Sequence, residues 1–186
     1  MFIHRTQTIS FSNYDACMDA YRAVVDKRDK RKFKESVVPE DILLRVLQAA
    51  RMAGSGKNRQ SCRIVVVTEA ESRSHVAKSG DFGDWINESP VALVFAIHSE
   101  GGLRPDFDIG RMAQNAMIIA NSEGLDSCPM TVYRQDDLRE ALAIPEEYDV
   151  PMVVGLGFPA EISDTKPTRS HQRKSLDEVI HWGKWE

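Results

Sequence analysis

Arg51-Met-Ala-Gly-Ser-Gly-Lys-Asn-Arg-Gln60 is where the chain changes character. A helical pattern stops there, a polar loop with two glycines follows, and a β-branched run, Ile64-Val-Val-Val-Thr68, begins just beyond. Small residues bracket Ser55 and Asn58, which lets a flat ligand approach the main chain closely. Ala53-Gly-Ser-Gly-Lys57 looks suited to phosphate. It follows a helix and precedes a strand, however, the reverse of a P-loop's order.

Upstream, Pro39-Glu-Asp opens a helix as proline and acids at a first turn do, and Ile42, Leu43, Val46, Leu47 and Ala50 form its apolar stripe. Before it stands Lys27-Arg-Asp-Lys-Arg-Lys-Phe33, six charged residues in seven, five of them positive. The run has two readings. One is a solvated helix end, with cations at the negative end of the macrodipole. The other is an anion site, since Lys and Arg make charge-assisted hydrogen bonds to phosphate. The helix it would close runs through Tyr14, Met18, Tyr21, Val24 and Val25, capped by Ser12 or Asn13. Residues 1–12 read as an irregular segment.

Downstream, the β-branched run of Ile64–Thr68 predicts a strand buried on both faces. A surface helix is expected over Glu69–Ser79, a loop or short helical turn over Gly80–Asn87 with Trp85 as packing, and a second buried strand over Pro90–Ile97. Pro105 starts a helix with Ile109, Met112, Ala113, Ala116, Ile119 and Ala120 inward. Asp108, Arg111, Gln114 and Asn115 are expected outward, and Gly124 closes the helix. Ser127-Cys-Pro-Met-Thr-Val-Tyr133 is extended, but its proline cannot serve a central ladder, so it belongs at a sheet edge or beside a ligand. A short helix over Gln135–Ala143, a strand over Val150–Pro159 and a last turn over Leu176–His181 complete the pattern. Strands alternating with helices give an α+β or α/β sandwich in one domain. The aromatic tail ending in Trp182 and Trp185 suggests packing on a partner subunit.

Composition narrows the function. The 186 residues suit one well-filled domain, and the net charge of -4 argues against a general nucleic-acid or membrane-surface binder. No stretch has the length of a signal or membrane segment. Three scattered cysteines, Cys17, Cys62 and Cys128, fit neither zinc nor a disulfide framework, so a reducing cytoplasm is the expected setting. The five histidines show no metal-ligand spacing. Walker, Gly-x-Gly-x-x-Gly, His-Glu-x-x-His and Gly-x-Ser-x-Gly motifs are absent from the sequence. Cys128 reads as a buried thiol rather than a nucleophile. Two basic clusters, Lys27–Lys32 and Arg169–Lys174, two small-residue loops and no acid–base pair suit a protein that binds a phosphorylated organic cofactor and lets it do the chemistry.

The order of motifs resembles the nitroreductase family of FMN-dependent oxidoreductases. Lys27-Arg-Asp-Lys-Arg-Lys-Phe33 is similar to the family's Arg-Arg-Ser/Asp-x-Arg-x-Phe, and Ala53–Arg63 to its Ala-Pro-Ser-x-x-Asn-x-Gln-Pro-Trp. Asp108–Asn115 with Glu123-Gly-Leu-Asp-Ser-Cys128, Val153–Pro159, and Arg173-Lys-Ser-Leu-Asp-Glu-Val-Ile-His181 resemble its later segments. The resemblance implies a three-layer α+β sandwich, a central mostly antiparallel sheet flanked by helices, in an intertwined homodimer with FMN at the interface. It implies NADH or NADPH as donor and a nitroaromatic, quinone or related small acceptor, in ping-pong fashion. Lys27, Arg28 and Asp29 fall at the phosphate and ribityl positions, Arg31 at the N1/O2 side of the flavin, and Arg173, with His171 or Lys174, at a second phosphate contact. Pro129, Met130, Thr131 and Val132 fall along the ring. Ser55, Gly56, Asn58, Asp108 and Arg111 would come from the other subunit, as would packing by the 160–186 extension. Gly54 stands where the family has proline, Ser61-Cys62 replaces Pro-Trp, and Asp29 is a serine in many relatives. Rival readings are an FMN carrier or sensor with little turnover, and an enzyme that destroys flavin, like dimethylbenzimidazole synthases, or dehalogenates reductively.

Overall fold

Val91–His98 (β2) is the strand around which the layers assemble, and seven of its eight residues are buried. The computed structural model describes residues 19–100, 102, 104–161 and 173–185. Its sheet has four strands in the order β1-β2-β4-β3: Cys62–Val67 (β1), β2, Asp126–Thr131 (β3) and Tyr148–Gly157 (β4). All three pairings are antiparallel, with Val65↔Val94, Val94↔Val153 and Met130↔Val153 aligned in one row.

The strand period of two sends alternate residues of β2 to opposite faces. Leu93, Phe95 and Ile97 meet Glu40–Arg51 (α2) and Pro105–Ser122 (α4) through Val46, Ala50, Ile109, Ala113, Ala116 and Ala120. The alanines of α4 let its axis approach the sheet closely. Ala92, Val94 and Ala96 meet Ala70–Lys78 (α3), a 3-10 turn at Asp84–Glu88 and Gln135–Ala141 (α5) through Val76, Ala77, Ile86 and Leu138. This is the three-layer sandwich expected from the sequence. Gly124 takes φ +78°, and the Leu125 amide donates to the Ala120 carbonyl at 2.8 Å, so α4 ends on a glycine as read.

Three expectations fail. β1 is an outer strand, and its β-branched run is covered only in part: Ile64 packs on one core cluster and Val65 and Val67 on the other, but only Val67 is buried and Val66 is 36% exposed. A β-branched run looks the same at an edge as in the middle; only the order of strands tells them apart. Asp108, expected outward, is 7% exposed, because the 53–60 loop folds over the first turn of α4. In Ala20–Asp26 (α1) only Ala23 is buried, and Tyr21 and Val24 stand exposed rather than in a core stripe. The expected caps Ser12 and Asn13, the helix positions Tyr14 and Met18, residues 1–12, Cys17, and residues 169–172 of the second basic cluster, His171 among them, lie outside the described residues.

Candidate functional site

β3 brings the first set of candidates together. It is the outer strand on the side opposite β1, which accommodates Pro129 as the sequence requires. Asp29 pairs with Ser127 in a parallel bridge, and the Lys30 amide donates to the Ser127 carbonyl at 3.1 Å. The Val132 amide donates the other way, to Pro151 on the β4 side, at 3.0 Å. Main-chain groups alternate in an antiparallel strand, so Ser127, Pro129 and Thr131 direct theirs away from β4. Pro129 loses nothing by having no amide there. Thr131 presents its N–H along the open edge. Met130 and Val132 turn their side chains into the core and their main-chain groups towards β4, which leaves Pro129 and Thr131 facing the open edge.

The basic run divides its work. Lys27 is turned inward, its side chain 8% exposed, with Nζ paired to Asp29 and 3.2 Å from Met117 Sδ on α4. Arg28 folds back on the end of α1 and donates to the carbonyls of Val25 at 2.6 Å and Lys27 at 2.8 Å. Lys30 pairs with Asp126 at 3.1 Å and Lys32 with Glu88 at 3.9 Å. The helix-end reading holds for Arg28, and Asp29 and Lys30 lay the run along the β3 edge at Ser127. Arg31 has no carboxylate partner among the described residues. Its Nε donates to Cys128 Sγ at 3.4 Å and its guanidinium lies over Trp85, 5.7 Å from the ring centroid. Burial pushes the Cys128 thiol up, with Arg31 partly opposing, so it stays protonated at neutral pH.

The second set gathers at the other edge. The Gly56 amide donates to Asp108 Oδ2 at 3.3 Å, and the Gln60 amide to Ser55 Oγ at 3.0 Å. Arg111 lies against Gly54, where a built Cβ would come within 2.8 Å of its Nη2. A side chain at position 54 would have to displace the end of Arg111. Lys57, Asn58 and Gln60 all take positive φ, 52°, 55° and 51°. Side chains other than glycine pay roughly 1–2 kcal/mol per residue there, and such strain clusters at ligand sites. Lys57 and Gln60 were not singled out by the sequence, which carries no local signal of it. Burial first, then the Asp108 charge, pushes the neighbouring Cys62 thiol up to about 11.

The two sets do not meet within one chain. Three inter-strand steps from β1 to β3 span about 14 Å. Asp108 and Met117, which contact one set each, lie nine residues apart on α4, about 13.5 Å along its axis. Arg173 and Lys174 are exposed beside a capped turn, Ser175–Glu178, and make no hydrogen bond or ion pair with another described residue. Among the described residues no His, Cys, Asp and Glu cluster could hold a metal, and no helix is long and apolar enough to cross a membrane.

The profile of the nitroreductase family matches residues 24–88 and 82–158, and the chain belongs to that family. An NADH dehydrogenase of Thermus thermophilus is 26% identical over 202 residues, covering 89% of this chain and 96% of that protein. A nitroreductase family protein of Clostridium difficile superposes with TM-score 0.78 at 22% identity, over 90% of this chain and all (100%) of that one. The NADPH:FMN oxidoreductase of Vibrio harveyi, solved in complex with NAD+, gives TM-score 0.77 at 25% identity, over 89% of this chain and 77% of that one.

Proposed function

We infer that this protein is an FMN-dependent oxidoreductase that draws on NADH or NADPH and works as a homodimer. The observation that carries the reading is the donor set along the β3 edge. An outward strand amide, Thr131, lies beside a basic segment, and one of its cations, Arg31, has no carboxylate partner among the described residues. That set suits a planar, anionic, hydrogen-bonding cofactor, and the Vibrio harveyi relative is named for FMN. Bound FMN would supply the hydride-accepting centre between the nicotinamide donor and a small acceptor, such as a nitroaromatic or a quinone, in ping-pong turnover.

The chain's own residues would position and polarise. Lys27 neutralises Asp29, which removes the repulsion a lone carboxylate would impose on a phosphate and leaves an oxygen for a ribityl hydroxyl. Arg28 stands next to that pair, and Arg173 with Lys174 would add cations from the tail. Arg31 offers positive charge where reduction develops negative charge. Pro129 and Thr131 would flank the ring through the proline face and the Thr131 amide, with Met130 and Val132 backing them from the core. Ser55, Gly56, Asn58, Asp108 and Arg111 would complete the site from a second chain, because their own edge lies about 14 Å from β3. The exposed Trp182 and Trp185 give the tail apolar surface to lay on that partner.

The test is the visible spectrum of the purified protein, then its bleaching by NADH or NADPH without air. A yellow protein bleached by either donor is expected. A colourless protein that takes up no FMN on titration overturns the reading.

A further inference from the structure

The β3 edge carries one arrangement that neither strand pairing nor phosphate binding requires. Ala92, Gly155 and Cys128 are cross-strand neighbours on β2, β4 and β3, and they share the face that carries α3 and α5. Three small side chains in one row leave a shallow floor, and the indole of Trp85 lies on it. A Cβ built on Gly155 would come within 2.6 Å of Trp85 Cζ3 and 3.0 Å of Ile86 Cδ1, so the glycine makes the room the indole fills. Phe33 supports the indole from the side at 6.2 Å between centroids. The exposed face of the stack carries Arg31: the ring centroid lies 5.7 Å from its Cζ, and Cys128 Sγ, at the end of the same floor, accepts from its Nε at 3.4 Å.

Arg31 is an exposed residue with four other cations in the same run, and its side chain would otherwise sample many rotamers. Here two groups of different chemistry hold it, the π face beneath its Cζ and the sulfur at its Nε. The remaining edge, with both terminal nitrogens, has no partner among the described residues.

We propose that Trp85 and Cys128 are positioning residues that hold Arg31 ready for the flavin, so that its charge is in place before the cofactor binds. The proposal rests on the FMN reading above. It assigns Trp85 a role in cofactor affinity and potential although its own contacts are with the sheet and Arg31.

The test is a double-mutant cycle on FMN binding, followed by quenching of flavin fluorescence in titrations of the apo-protein. Trp85→Leu is expected to weaken FMN by roughly three- to tenfold, the range that loss of a part-buried cation–π contact implies. Trp85→Phe keeps an aromatic face and should retain most of the affinity. In an Arg31→Ala background, Trp85→Leu should add nothing. The midpoint potential of the bound flavin should move in Trp85→Leu in the same direction as in Arg31→Ala. Should Trp85→Leu fail to fold, Cys128→Ala removes the sulfur and leaves the indole. It should weaken binding two- to threefold, by roughly the worth of a weak hydrogen bond, and this effect too should vanish beside Arg31→Ala. Equal weakening by Trp85→Leu with and without Arg31 would mean that the indole acts through packing alone, and the proposal is overturned. Wild-type affinity and potential in both Trp85→Leu and Cys128→Ala overturn it as well, while leaving the FMN reading intact. A wild-type protein that binds no FMN overturns both.

Discussion

Gly155→Ala tests the packing beneath Arg31 directly. The added methyl would lie 2.6 Å from Trp85 Cζ3, 3.0 Å from Ile86 Cδ1 and 3.1 Å from Ser89 Oγ. Non-bonded carbons settle at about 3.5–4.0 Å, so the shortfalls are roughly 0.9, 0.5 and 0.4 Å. Ser89 cannot retreat: it is fully buried, and its hydroxyl donates to the carbonyls of Val91 at 2.7 Å and Leu156 at 3.0 Å. Ile86 is equally enclosed. The half-buried Trp85 must move outward. Overpacking of this kind costs about 1–3 kcal/mol, and the lower backbone entropy of alanine in the unfolded chain returns roughly 0.5–1 kcal/mol. The net expectation is a loss of up to about 2.5 kcal/mol, centred near 1 kcal/mol, which at a slope of about 2 kcal/mol/M lowers the urea midpoint by about 0.5 M and by at most about 1.2 M. Unfolding followed by far-UV circular dichroism at fixed protein concentration reads it, with near-UV dichroism reporting the displaced indole. A variant as stable as wild type, with an unchanged near-UV spectrum, would refute the argument from the floor.

The same substitution at Gly110 should do the opposite. A Cβ there meets nothing within 4 Å, and a mid-helix glycine costs roughly 0.5–1 kcal/mol against alanine, so Gly110→Ala should raise the urea midpoint. The Cys62 thiol makes stability fall in alkali. Its folded value, about 11, lies above the usual 9.0, so the contribution is whole below pH 9.0 and is lost as pH rises towards 11. Cys62→Ala should flatten that limb of the stability–pH curve, and an unchanged limb would assign it to other groups. Asp108→Asn removes the charge that helps hold the Cys62 thiol up, so alkylation of Cys62 should begin at lower pH in the variant. An unshifted pH profile for that alkylation would remove the Asp108 charge from the causes of the raised Cys62 value.

Much of this fold is carried by short-range pattern. The period of β2, the proline and acids that start α2 and α4, and Gly124 at the end of α4 each act within a few residues, where sequence and conformation are closely tied. Pro129 narrowed its strand to a sheet edge or a place beside a ligand, since a residue without an amide cannot sit between two partners, and the strand lies at an edge. Strand order is a different matter. Ile64–Val67 reads as a doubly covered strand because nothing in those residues says that only β2 lies beside them. Asp108 went astray for a related reason: helical spacing placed it outside, and a loop fifty residues earlier in the chain covers it. The positions of Lys27 and Arg31 depend on Met117, Trp85 and Cys128, all more than fifty residues away, so the basic run showed its charge but not how that charge is shared.

The separation of the two half-sites on opposite edges of one sheet bears on how lesions would combine. If each flavin site takes one half from each chain, Arg31→Ala and Asp108→Ala damage different halves. Each variant alone would spoil both sites of its own dimer. A mixed pair would carry one site with both lesions and one with neither. Refolding the two variants together at equal amounts gives half mixed pairs, so about a quarter of all sites should recover. Two crippled copies of this chain would then complement one another, whereas two lesions on the same edge would not.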